Sequence, residues 1–268
     1  MEEQKNHPER KPDTQLLKKQ AISKLTAVCV IVLMCSILML YLIVDKPTQA
    51  ELKVLEYARE NGISALQYPE ELIALLEENP ETEQFVLNYP FREEDPEIHF
   101  SAMDLVDGIP PFMQWDERWG YMEYGDSMVG INGCGPMCLA MVGYYLTGDA
   151  TFHPDRIVKF ADENGFYIHG SGTKRTLISV GGRALGLDVK ELAVVESKIA
   201  DYLQSDTPLI AVVSSGAFGD GDHFIVLKEY RDGKLKIIDP SSYANSKEWD
   251  FEEIAEWMEE VWIIQTGE

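Results

Sequence analysis

Four cysteines and five histidines are the only thiols and imidazoles in 268 residues. Cys29 and Cys35 fall inside an uncharged run, which leaves Cys134 and Cys138 for the rest of the chain. Those two stand four residues apart, and consecutive turns of one helix rarely present the Cβ separation that a disulfide wants. No disulfide framework is expected. Cys and His also never occur together at close ligand spacing, so neither a metal nor another cofactor is expected. "GDGD" at 219–222 resembles a fragment of a calcium loop, but the later acidic ligand is missing at the required offset. Basic residues are scarce as well. Beyond residue 50 the chain carries 16 Lys and Arg against 41 Asp and Glu, a net of −25. Such a surface argues against nucleic acid and anionic lipid headgroups as partners and reads as a solubility device before it reads as selection for a cationic substrate. There is no internal repeat and no low-complexity tract.

What the chain does have begins with "LTAVCVIVLMCSILMLYLIV", residues 25–44, 20 residues without a charge. That length suits a membrane-crossing helix and exceeds the apolar region of a cleaved leader. Lys5, Arg10, Lys11, Lys18, Lys19 and Lys24 precede it, while only Lys46 and Lys53 follow closely. The positive-inside rule then keeps residues 1–24 in the cytoplasm and sends the rest outside. An exterior domain without disulfides fits a bacterial cell surface better than a secreted eukaryotic setting. Residues 45–100 read as a helical stalk or linker. Thr48-Gln49-Ala50-Glu51 matches a capping box ahead of Leu52, Leu55 and Ala58, and further helices start near Pro69 and Pro80.

Residues 101–268 form the main domain. Its first half reads as helical, with a central helix over about 135–147 closed by Gly148 and another near 174–186. Its second half turns to strands: "PLIAVVSS" (208–215), "HFIVLKEY" (223–230), "KLKIIDP" (234–240) and "VWIIQT" (261–266). Helices followed by an antiparallel sheet make an α+β pattern.

Within that frame, Gly133-Cys134-Gly135-Pro136 reads as a tight loop entering the central helix, which puts Cys134 at the helix N-terminus. Unpaired N–H groups and the positive end of the macrodipole favour thiolate there. A reactive thiol needs a base, and a base needs an orienting group. His99, His153 and His169 lie in connector, loop and turn sequence and read as surface residues. His223 instead opens an apolar strand after the glycine-rich "SGAFGDGD", and Asp239 ends the partner strand 16 residues later. Cys138 reads as a small buried hydrophobe on the central helix.

Taken in order, "QWDERWG", "YG", "GCGPMCLAMVGYY", "GDHFIVLKEY" and "IIDPSS" resemble the bacterial cysteine peptidases related to the bacteriocin-leader (double-glycine) peptidases, a branch of the papain-like fold. The resemblance spans roughly residues 109–265. It implies a central nucleophile helix packed on an antiparallel sheet, with Cys134 as nucleophile, His223 as general base and Asp239 as orienting acid. It further implies hydrolysis of peptide bonds through an acyl-enzyme, on a peptide or protein substrate, while the helical segment at 51–98 and the N-terminal helix expected to tether the domain to the membrane fall outside the match. The leader peptidases carry an oxyanion-donating glutamine shortly before the cysteine, and this chain has none there. Gln114, 20 residues upstream, resembles the more distant glutamine of their relatives and becomes the oxyanion-hole candidate. A non-catalytic binding module with the same fold, and a cell-wall amidase or acyltransferase with the same triad, remain the alternatives. The oligomeric state is not encoded in any motif.

Strand alternation adds a geometric condition. A two-residue Asp232-Gly233 turn would set Asp239 opposite Val226, with its carboxylate on the sheet face away from His223. A three-residue Arg231-Asp232-Gly233 loop pairs Tyr230 with Lys234 and Ile225 with Asp239, and is therefore the expected hairpin.

Overall fold

The computed structural model describes residues 23–26, 28–36, 46–93, 96–98, 100, 108–214, 216–219 and 221–267. Two units emerge, 1–48 and 49–268. In the first, residues 23–26 and 28–36 are helical. Among the described residues no helix is long and apolar enough to cross a membrane, and part of the span expected over 25–44 lies outside them.

The second unit opens with three helices, α1 (Gln49–Asn61), α2 (Glu70–Glu78) and α3 (Glu83–Asn88). Glu70 and Glu71 occupy the first turn of α2, where carboxylates complement the helix dipole. The stripe of α1 that packs is Ala50, Val54 and Ala58, while Leu52 and Leu55 stay exposed. Small side chains let α1 approach α2 closely enough for Val54 to join Leu72, Leu76 and Phe85 in one cluster. This segment does not stand apart as a stalk. Tyr121 stacks on Phe85 at 4.4 Å and its hydroxyl donates to the Phe85 carbonyl, so 49–93 folds as part of the same unit as the main domain.

The main domain starts with a two-residue hairpin, β1 (Glu123–Tyr124) and β2 (Ser127–Met128), followed by the short α4 (Val129–Asn132) and the buried α5 (Cys134–Thr147). Gly148 ends α5 at φ 65°, the left-handed cap read from the sequence. After α6 (Pro154–Glu163) and the small pair β3 (Tyr167–Ile168) and β4 (Gly172–Thr173), the expected helix near 174–186 is only a π turn, Leu177–Gly181, running into α7 (Gly182–Ala184). Gly181 and Gly182 there sit against Leu177, Phe160 and Val189, a close approach that limits the helix to a few residues.

Then come β5 (Leu187–Leu192), α8 (Glu196–Gln204), β6 (Leu209–Ser214), β7 (Asp222–Arg231), β8 (Lys234–Ile238), β9 (Glu248–Asp250), α9 (Phe251–Ala255) and β10 (Met258–Thr266). They form one antiparallel sheet in the order β5-β10-β6-β7-β8-β9. One face, with Ile210, Val212, Phe224, Val226 and Trp262, packs on Met137, Cys138 and Leu139 of α5. The other, with Ala211, Val213, Ile225, Leu227 and Ile237, packs on Ile199 and Leu203 of α8 and on Trp249. Because both faces are covered, β6 is a continuous apolar run instead of an alternating one.

The hairpin between β7 and β8 is not the one expected. Arg231 pairs with Lys234 across a two-residue turn, with Asp232 at φ 51° and Gly233 at φ 78°, the positive pair that a type I′ turn requires. The register then slips. Glu229 pairs with Lys236 but Leu227 pairs with Ile237, so Lys228 is an extra residue, a β-bulge. The slip has a packing consequence: Ile225, Leu227 and Tyr230 all meet the α8-side cluster despite their mixed parity. From Leu227 towards His223 the pairing sums are even, which carries Asp239 to the face that His223 shares.

Candidate active site

Cys134 is the first residue of α5, as its motif predicts, and Pro136 lies two residues into the helix. The flanking glycines are there for lack of room. A Cβ on Gly133 would lie 2.5 Å from the Val129 carbonyl oxygen, and one on Gly135 would lie 2.6 Å from a Thr173 methyl. Thr173 is itself held by the Tyr124 hydroxyl at 2.9 Å. The helix start is therefore wedged between α4 and β4 with Cys134 partly exposed. Cys138, one turn on, is fully buried, and burial pushes its thiol pKa well up. It is a core residue.

His223 Nε2 and Asp239 Oδ1 stand 2.8 Å apart, and Cys134 is near enough to favour the charged form of the ring as well. The structure thus brings Cys134, His223 and Asp239 together. Asp239 is completely buried. Its Oδ1 also accepts from the Ser241 N–H and hydroxyl, both at 2.7 Å, and its Oδ2 from Asn245 Nδ2 at 3.1 Å. A buried carboxylate needs such donors, since stripping one partner from a buried charge costs about 3–5 kcal/mol.

Phe218 stacks over the imidazole at 5.9 Å and 20° and contacts Trp249 and Trp257, which screens the ring from water on that side. Beside it, Arg175 clamps Asp222 through two hydrogen bonds of 2.5 and 2.7 Å and reaches Glu260 on β10 at 2.8 Å, fixing the start of β7. The last acid of "GDGD" is thereby committed to a guanidinium. Among the described residues no group of three or more His, Cys, Asp or Glu is arranged to hold a metal ion.

Burial by itself would lower the His223 pKa, but the Asp239 charge and hydrogen bond outweigh it and raise the value from 6.5 to about 10. Burial by itself would raise that of Asp239, but the His223 charge and the Ser241 donors hold it below the usual carboxylate value. The linkage follows from these directions. The His223 contribution to stability is complete below its ordinary value of 6.5 and is lost as pH rises through about 10. The Asp239 contribution is present above 3.8 and is lost as pH falls through its depressed value. In an NMR titration the His223 ring is therefore expected to remain protonated at about pH 8, where an ordinary histidine is neutral. A ring that deprotonates near 6.5 would show that Asp239 does not stabilise its charge.

Gln114 is used differently from the expectation. Its Nε2 donates to the Gly130 and Ile131 carbonyls at 3.0 and 3.2 Å, while its backbone N–H donates to the Pro240 carbonyl at 2.8 Å. Its amide hydrogens are taken up by backbone, and its buried Oε1 has no partner. The residue ties the turn before Cys134 to the segment after Asp239. Of the remaining histidines, His169 is exposed and paired with Asp126, His153 is half-buried against Phe100 and Tyr144, and His7 and His99 lie outside the described residues. Arg175, Phe218, Ser241 and Asn245 escaped the sequence reading, because each acts through an unpatterned long-range contact.

An α5-type helix with a cysteine at its start, backed by an antiparallel sheet with a His–Asp pair, is the frame of a papain-like cysteine peptidase. The chain belongs to the Peptidase C39 family, whose model matches residues 129–266. No curated protein matches it. Among solved structures it is similar to the peptidase domain of Streptococcus ComA, a bifunctional ABC transporter involved in a quorum-sensing pathway, at 19% identity over 51% of this chain and 93% of that one, with a TM-score of 0.40. It is also similar to a candidate C39-like peptidase from Bacillus anthracis, at 14% identity over 59% and 96%, with a TM-score of 0.37.

Proposed function

We propose that this protein is a membrane-anchored cysteine peptidase that hydrolyses peptide bonds outside the cell through Cys134, His223 and Asp239. The observation that carries the reading is the buried His223–Asp239 pair beside a cysteine at the N-terminus of α5. With Nε2 committed to Asp239, Nδ1 is the ring nitrogen left for the thiol. The protonated His223 ring holds Cys134 as thiolate, and the sulfur attacks the substrate carbonyl carbon. The resulting oxyanion is met by the Cys134 backbone N–H at the positive end of the helix. The protonated ring then gives its proton to the leaving amine as the C–N bond breaks. Water, deprotonated by the same ring, cleaves the thioester and restores the thiolate beside the protonated ring.

The location rests on the basic flank before residue 25 and the uncharged run after it. Protease added to intact cells is expected to digest the 49–268 unit while leaving residues 1–24 intact, and the reverse pattern would overturn the topology. For the chemistry, the full chain in mild detergent is expected to react at Cys134 with a peptidyl electrophile. Labelling no faster than that of a free thiol would end the catalytic reading.

A further inference from the structure

The nine residues 239–247 between β8 and β9 form neither helix nor strand, yet they carry two groups that orient the Asp239 carboxylate, Ser241 and Asn245. Local hydrogen bonds from Ser246 and Trp249 brace this loop, and a second set comes from far away in the chain. Asn79 Nδ2 and Trp115 Nε1 both donate to the Ser241 carbonyl at 2.7 Å. Glu81 accepts from two successive backbone N–H groups, Tyr243 at 2.7 Å and Ala244 at 2.8 Å, and lies 3.5 Å from the Ser242 hydroxyl. Asn79 Oδ1 in turn accepts from the Glu81 N–H, so the two side chains form one built unit at the turn between α2 and α3. A carboxylate spanning two N–H groups makes charge-assisted hydrogen bonds, roughly twice as strong as neutral ones.

We propose that Asn79 and Glu81 are positioning residues for Asp239, so that the N-terminal helical segment is part of the catalytic unit although it lies outside the family match at 129–266. They act through the loop: Glu81 fixes its middle, Asn79 fixes Ser241, and Ser241 presents both its N–H and its hydroxyl to Asp239 Oδ1. The proposal rests on Cys134, His223 and Asp239 working as a triad. Loss of Glu81 frees two N–H groups and lets Ser241 drift, which weakens the grip of Asp239 on the His223 ring and with it the activation of Cys134.

The test uses the full chain in mild detergent with two readouts, the NMR titration of His223 and the pH profile of Cys134 alkylation by iodoacetamide. Glu81→Ala and Asn79→Ala are each expected to lower the His223 midpoint by about one pH unit and to slow alkylation at neutral pH about tenfold. Glu81→Gln keeps one acceptor oxygen and is expected to fall in between. It also serves if Glu81→Ala does not fold. Leu72→Ala, which hollows the buried cluster of the segment without touching the loop, should lower the melting temperature and leave both readouts unchanged. Folded Glu81 and Asn79 variants with the parent titration would overturn the proposal, as would a Leu72→Ala shift of equal size. An unreactive Cys134 in the parent would instead overturn the catalytic reading, and the His223 midpoint would still decide whether Asn79 and Glu81 position Asp239.

Discussion

Cys134→Ala is expected to abolish both hydrolysis and covalent labelling by a peptidyl electrophile, with the fold intact, whereas Cys138→Ala retains both. The two thiols sit one turn apart on α5 but in opposite environments. Cys134 is partly exposed at the helix start, close enough to His223 to favour the charged ring. Cys138 is buried among Met137, Leu139 and the sheet, where burial disfavours its thiolate. Replacing Cys134 removes the proposed nucleophile, and its partly exposed site leaves little cavity. Replacing Cys138 removes a small buried group and should cost about 1–2 kcal/mol, visible as a lower melting temperature. Mass spectrometry locates the label, which separates Cys134 from Cys29 and Cys35. Equal loss of hydrolysis in both folded variants would mean that the nucleophile is misassigned.

Inserting one alanine between Ile238 and Asp239 is expected to be as damaging as replacing Asp239, although it removes no residue of the site. The two-residue turn sets an odd register near Arg231, and the bulge at Lys228 converts it to the even one that serves Asp239. With the insertion the new residue stands opposite Ile225, Asp239 moves opposite Phe224, and its carboxylate faces away from His223. Hydrolysis should fall to background and the raised His223 titration should disappear. Deleting Lys228 only closes the bulge, leaving Leu227 opposite Ile237 and Val226 opposite Ile238, and should keep most of the activity. Full activity in the insertion variant, or its loss in a folded Lys228 deletion, would refute the register argument.

Much of the site was legible before any coordinates. Cys134 announces itself through the two glycines around it, because close packing against Val129 and Thr173 leaves no alternative to glycine. His223 and Asp239 mark the ends of adjacent apolar strands, and the order of strands β6, β7, β8 and β10 along the chain follows from their β-branched runs. β5 and β9 were missed. "LDVKEL" and "EWD" are short and charged, and they gain their place only by pairing at the sheet edges.

The bulge shows the limit most clearly. Local turn chemistry favours Asp232-Gly233 as a two-residue turn, while the His223–Asp239 hydrogen bond demands the opposite parity; a single extra residue, Lys228, satisfies both, and no pattern in "HFIVLKEY" announces it. The amide of Gln114 was equally illegible, since its direction depends on which carbonyls, Gly130 and Ile131, arrive beside it. The same holds for the first helical segment. Its apolar residues reveal helices, but whether those helices stand free or grip the Asp239 loop depends on contacts across some 160 residues, such as Glu81 to Tyr243 and Ala244. Periodicity and capping are properties of neighbours in sequence and are written there. Register, amide direction and docking are settled by burial and hydrogen-bond satisfaction between distant segments, and those exist only once the chain has closed on itself.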